Sequence, residues 1–191
     1  MDLFSVSYEM AAHRFTNLAT HHLGLTCHFV KNDEAGVIYK AYENDGLVLP
    51  ADASGAIEGQ RMCRQWCGRQ IFSAADRFST CYQYTDTPSG TYWCVSHVDP
   101  GRERGFAITL GVTYEHSRWF RGRESVTRTR SLCPDGECCQ RAPLALAERW
   151  EGMAWPSARA HSHILSALPA GSFPGVDDVD IYEFLDRHDQ D

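Results

Sequence analysis

Long apolar runs are missing from this chain, and none approaches the roughly 20 residues that a membrane-spanning helix requires. The start, Met1, Asp2, Leu3 and Phe4, lacks the basic-then-apolar pattern of a secretion signal. A soluble, cytoplasmic protein with no membrane partner is therefore expected. Paired C-x-x-C motifs are absent, as are a nucleophile elbow, a phosphate loop, a dinucleotide fingerprint and a His-Glu-x-x-His helix. Acidic residues are plentiful, but none are paired in a way that argues for acid–base catalysis. The leading expectation is a protein that is not an enzyme. Lysine is scarce too: of 18 basic residues only Lys31 and Lys40 are lysines, and sixteen are arginines.

What is present suits a folded domain. The 191 residues are 43% hydrophobic and 12% aromatic, enough to bury a core as one domain or one domain with a small appendage. The net charge of -7 is uneven, since Pro174 to Asp191 carries seven acidic residues and one arginine, a balance of -6. Five arginines (Arg118, Arg121, Arg123, Arg128 and Arg130) fall within thirteen residues, read as a solvated loop or as an anion-binding patch. Eight cysteines in a chain without an export signal argue against a disulfide framework and turn attention to metal binding or redox chemistry.

From Ser7 to about His22 the apolar positions Tyr8, Ala11, Ala12, Phe15, Leu18 and Ala19 recur at helical spacing, with Ser7 placed to cap the first turn. Leu25 to Lys31 and Val37 to Tyr42 read as two strands around a polar turn, and Leu49 to Gln60 as a loop. A short helix is expected at Cys63 to Phe72, followed by strands at Phe78 to Tyr84, Thr91 to Val98 and Phe106 to Tyr114. The economical fold class is α+β, a mainly antiparallel, hairpin-rich sheet flanked by helices, with a cysteine-rich metal-binding turn at Cys133 to Cys139. Leu144 to Trp155 and Ser157 to Leu168 look helical, a Pro/Gly linker follows, and the acidic end is either a docked helix or a solvating tail. This divides the chain into a core at 1–157 and a helical, acidic extension at 158–191.

Cys63 and Cys67 are separated by three residues and Cys133 and Cys138 by four, with Cys139 next, spacings that let loop or helix-end thiolates reach one metal ion. Unconnected thiols are the alternative. Cys27, Cys81 and Cys94 lie inside expected strands, where cysteine packs as a small hydrophobe. A thiolate working with a histidine such as His97 or His116 stays open, because such partners need only meet in space.

Three segments together resemble the ligand-sensing domain of bacterial short-chain fatty acyl-CoA regulators, transcription factors that respond to acetate and propionate metabolism. Phe4 to Leu18 is similar to the family's Ser-x-x-x-x-Ala-His-Arg-x-x-Asn-Leu helix, and Cys63 to Ser73 to its Cys-Pro-x-Trp-Asn-x-x-x-x-Phe. Phe106 to Pro143 is similar to a strand ending in Ala-Leu-Gly and a later Cys-x-x-Cys-x-x-x-x-Cys-x-Gln-Arg-Ala. The order and spacing agree over roughly residues 4 to 145. The resemblance implies a cluster held by four cysteines, of which Cys63, Cys133 and Cys138 match while the remaining position falls on Arg130. Either Cys67 or Cys139 supplies the fourth thiolate, or the cluster is incomplete, or the site holds zinc or nothing. Four thiolates suit both a [4Fe-4S] cluster and Zn(II).

The resemblance also implies that coenzyme A phosphates are held by Arg14 and Lys40, with Tyr92 as a further contact. Arginine and lysine are the usual means of gripping phosphate. Such regulators carry an upstream helix-turn-helix domain not contained in these residues, so the expected partners are short-chain acyl-CoA or CoA, a DNA-binding domain of the same regulator or of a separate protein, and a second copy in a homodimer. The rival expectations are a metal-stabilised protein-interaction domain without a small-molecule ligand, and a cysteine-dependent, thioesterase-like enzyme.

Overall fold

The computed structural model describes residues 6–99, 105–133, 148–149 and 178–189. Ser7 caps the first helix, α1 (Tyr8–Leu23), by accepting the Met10 N–H at 3.1 Å, and Gly24 ends it in the left-handed region at φ 61°. The buried stripe of α1 is narrow and made of small residues, Ala12, Thr16 and Ala19. Small side chains let the helix axis lie close to the sheet. They also leave Met10, Phe15 and Leu18, expected in part to be core, exposed along its flanks.

Strands β1 (His28–Asn32) and β2 (Ile38–Glu43) form the first hairpin. A short helix, α2 (Cys67–Gln70), runs into a 3-10 turn at Ile71–Ser73, so helix starts four residues later than the expected Cys63. Then come β3 (Cys81–Thr87), β4 (Gly90–Asp99) and β5 (Phe106–Thr113), a 3-10 turn at Tyr114–Trp119, and a three-residue strand β6 (Arg128–Arg130). The six strands make one sheet in the order β2-β1-β5-β4-β3-β6.

The α+β class stands, with a sheet flanked by helices, but the sheet is mixed rather than mainly antiparallel. Consecutive antiparallel pairing accounts for β1 with β2 and for β3, β4 and β5, and an antiparallel pairing between distant segments joins β1 to β5, whereas β6 returns to the free edge of β3 and runs parallel to it. Backbone bonds from Tyr84 N–H to Thr127 O and from Ser131 N–H to Asp86 O hold it there. A pairing between segments so distant in sequence has no local turn signal, which is why hairpin reasoning misses it.

Strand alternation divides the core into two sides. On one, α1 packs Ala12 with Phe29 and Ile108, and Ala19 with Leu25, Trp93 and Val112. On the other, the 47–67 segment buries Leu47, Leu49, Met62, Cys63, Trp66 and Cys67 with Tyr92 and Cys94. The acidic end contains a helix, α3 (Asp178–His188), which buries Val179 and Tyr182 while Glu183 pairs with Arg64, so the docked alternative holds for this stretch. The helices expected at Leu144 to Trp155 and Ser157 to Leu168 lie outside the described residues apart from Glu148 and Arg149, as does the 157/158 boundary. Among the described residues no helix is long and apolar enough to cross a membrane.

Candidate functional site

An open groove of about 810 Å³ runs along α1 and is lined by both Arg14 and Lys40, together with Met10, Phe15 and Leu18. Lys40 reaches it from β2. Glu9, on the first turn of α1, lies 2.8 Å from Lys31 Nζ and 3.8 Å from Lys40 Nζ, so one carboxylate faces both lysines of the chain. Lys31 also stands 4.6 Å from the centre of the Phe106 ring. Arg14 is exposed and has no carboxylate partner among the described residues. Of the lining residues Arg14 and Lys40 are cationic and Glu9 is the carboxylate, itself bound by Lys31 from outside the lining, so this end of the groove is cationic with an apolar flank beside it, an arrangement that fits an anionic group carrying an apolar tail.

Tyr92 does not line the groove. It is buried on the opposite side of the sheet, edge-on to His28 at 5.7 Å, and its hydroxyl is 3.5 Å from Ser89 Oγ. Burial pushes its phenol above the ordinary value. Arg14 and Lys40 thus come together and Tyr92 does not join them.

The side of the sheet that holds Tyr92 is unusually polar for a core. His28, Asn32, Gln83, Thr85, Ser96 and Thr109 are all fully buried. Gly68 of α2 packs directly on this layer: a Cβ there would stand 2.7 Å from Asn32 Oδ1 and from Thr109 Oγ1, and its carbonyl accepts from Asn32 Nδ2 at 2.9 Å. Ser96 Oγ lies 2.6 Å from Thr109 Oγ1 and 2.9 Å from Cys67 Sγ.

Across three neighbouring strands, His28, Gly111 and Cys94 occupy one row. Because Gly111 has no side chain, His28 Nε2 reaches over β5 to within 3.4 Å of Cys94 Sγ. His28 Nδ1 lies 2.7 Å from Asp45 Oδ2, and both side chains have no exposed surface. A carboxylate only accepts, so Nδ1 carries its proton and Nε2 faces the thiol. Sequence reasoning assigned Cys94 to packing and suggested His97 or His116 as histidine partners. The structure instead sets His97 against Tyr8 and His116 against Thr113. The available signal was a histidine inside the otherwise apolar run Leu25 to Val30.

Of the expected metal ligands, Cys63 and Cys133 are buried in the same core cluster. Cys138 and Cys139 lie outside the described residues. Cys67 belongs to that cluster too, but its thiol is turned to the sheet, on Ser96. Burial pushes the Cys67 thiol well above the ordinary range, and Cys81 rises through its hydrogen bond with Cys67 and through burial, so both stay protonated at neutral pH. Among the described residues no three metal-ligating groups converge, so the expected metal-binding turn is not seen there, since its last two thiols fall beyond those residues.

The arginine run is largely engaged with the chain itself. Arg128 binds Asp86 with two bonds of 2.8 and 2.7 Å, Arg123 donates to the Arg118 carbonyl at 2.7 Å, and the Arg118 guanidinium lies over Trp119. Comparison of the chain with models of protein families, with curated proteins and with solved structures finds no match.

Proposed function

We propose that this chain is a sensor domain, not an enzyme, that binds a short-chain acyl-CoA and passes its occupancy to a DNA-binding domain, in the manner of the regulators it resembles. The observation that carries the reading is the convergence of Arg14 and Lys40 on one groove. Those residues stand on different elements, α1 and β2, and are the two that the resemblance assigns to the CoA phosphates. Arg14 and Lys40, with Lys31 behind them, supply charge for the phosphates of CoA, while Met10, Phe15 and Leu18 offer an apolar surface to the acyl end. One methylene is worth about 0.8 kcal/mol on burial, so preference among short chains must come from the shape at the end of the groove.

A cysteine-bound centre, [4Fe-4S] or zinc, forms the second part of the proposal. Cys63 and Cys133 would hold it from the core cluster they share, with Cys138 and Cys139 completing the set. Its role would be to staple the segment before α2 to the segment after β6. The thioesterase alternative is disfavoured by burial: among the described residues the thiol beside a histidine is Cys94, which has no exposed surface and faces away from the groove.

Calorimetric titration of the anaerobically purified chain with propionyl-CoA, free CoA and propionate, with a check for hydrolysis, tests this reading. Saturable binding of propionyl-CoA without turnover is expected. Arg14→Ala should weaken it roughly tenfold or more with little loss of fold, a charge-assisted bond to phosphate being worth about 1.5–3 kcal/mol, whereas Cys133→Ser should lower stability first. No binding by a folded protein would leave an interaction domain as the better description, and turnover would make it an enzyme.

A further inference from the structure

We infer that the arginine-rich stretch from Tyr114 to Arg130 is a contact surface for single-stranded nucleic acid, its guanidinium groups taking phosphates and Trp119 and Tyr114 taking bases. The inference uses none of the residues assigned to acyl-CoA, so it stands or falls apart from that reading.

The stretch is anchored from beneath. Phe120 stacks on Trp93 at 5.1 Å and meets Phe15 edge-on at 6.0 Å, which lays the loop on the α1 side of the sheet. Trp93 Nε1 donates to Gly122 O at 3.2 Å, the Tyr84 hydroxyl to Arg123 O at 2.6 Å, and Ser125 Oγ to Tyr82 O at 2.8 Å. Gly122 lies in the left-handed region at φ 79°, and a Cβ there would run into the Tyr82 ring, so glycine lets the backbone press onto the strands. Arg121 and Arg123, on either side of it, are exposed.

Strand β6 extends the same surface. Partners in a parallel ladder share a side, so Arg128 stands with Tyr84 and Arg130 with Asp86. Tyr84 belongs to the cluster beneath α1, which puts both arginines on the side of the loop.

Charge is concentrated here. The chain as a whole carries -7, yet this stretch sets five arginines against Glu115 and Glu124. Among the described residues Arg128 is the one of the five that binds a carboxylate, Asp86. The bond of Arg123 to a carbonyl and the packing of Arg118 on Trp119 orient their guanidinium groups without cancelling the charge. The other four arginines thus keep the charge that grips a phosphate.

Aromatic rings decide the kind of polyanion. Trp119 is 70% exposed and Tyr114 57%, although each is held in place, Trp119 under the Arg118 guanidinium at 5.0 Å and Tyr114 against Tyr84 at 5.7 Å. A carboxylate-rich peptide offers such rings nothing to stack on, and the bases of a duplex have their faces covered. Unpaired bases have free faces, which is why aromatic platforms among cations suit single strands. The chain's own acidic helix is engaged elsewhere, Glu183 with Arg64, and Asp186 and Asp189 with Arg149.

Fluorescence anisotropy of the full chain with short labelled oligothymidylate and oligouridylate tests the inference, with duplex DNA and polyglutamate as comparisons. Saturable binding of a single strand is expected, the tighter of the two naming the sugar recognised. Its log affinity should fall against log salt with a slope of about -2 to -3, near -0.7 for each phosphate neutralised. Arg121→Ala should make that slope shallower by about 0.7. Trp119→Ala should weaken binding roughly tenfold and leave the slope unchanged, as loss of one base stack does. Both positions are exposed, so melting curves should match the parent protein. No binding at low salt, a duplex held as tightly as a single strand, or full affinity in Trp119→Ala would overturn the inference. Displacement of the oligonucleotide by polyglutamate at equal charge would also overturn it and make the surface one for acidic proteins.

Discussion

Single positions in this molecule carry consequences out of proportion to their size. Gly111 is the clearest, because any side chain there meets both His28 and Cys94. Gly111→Ala is expected to cost about 1–3 kcal/mol, read as a shift in the urea midpoint, by forcing the imidazole off the row. Asp86 offers a different test. Hydrogen bonding from Arg128 holds its carboxyl down at about 2, so this pair stabilises the fold fully above the ordinary aspartate value near 3.9. The contribution disappears as pH falls through about 2. Comparing Asp86→Asn with the parent protein by thermal melting, the gap should be small and constant near neutrality, because both partners are well exposed, and should close between pH ~4 and ~2. A gap that persists at pH 2 would show that shape, not charge, anchors β6 to β3.

At the scale of elements, α1 and α3 bind the rest of the chain by different means. α1 rests on a narrow row of small residues, and its larger apolar side chains remain on the flanks, where they line the groove. Among its described side chains α3 instead buries Val179 and Tyr182 and leaves Phe184 more than half exposed. Tyr182→Ala should therefore destabilise the chain by about 2 kcal/mol or more, while Phe184→Ala should stay within about 0.5 kcal/mol. Equal effects in denaturant titrations would mean that α3 does not use the face described. α2 is short, and Gly68 keeps it flat against the polar layer, which puts Cys67 beside β4.

The whole molecule presents two chemistries on the two sides of one sheet. The α1 side carries the cationic and apolar groove, and the α2 side carries buried thiols, an imidazole and orphan amide oxygens. A CoA thioester does not fit the closed core of the α2 side, and among the described residues no thiol lines the open groove.

By itself the sequence determined the elements that periodicity and turn chemistry encode. Ser7 and the helical spacing of the apolar residues after it marked α1, the polar turn after Lys31 marked a hairpin, and the β-rich runs Thr91 to Val98 and Phe106 to Tyr114 marked β4 and β5. The resemblance also pointed to Arg14 and Lys40, which line one groove, and to Cys63 and Cys133, which share a core cluster. Only the tertiary structure decided which face each strand residue takes and which strands become neighbours. Tyr92 went to the far side, β6 joined β3 in parallel, and His28, Gly111, Cys94 and Gln83 fell into one row. The reason is physical: helix and turn signals act over a few residues, whereas sheet register is set by packing between segments far apart along the chain.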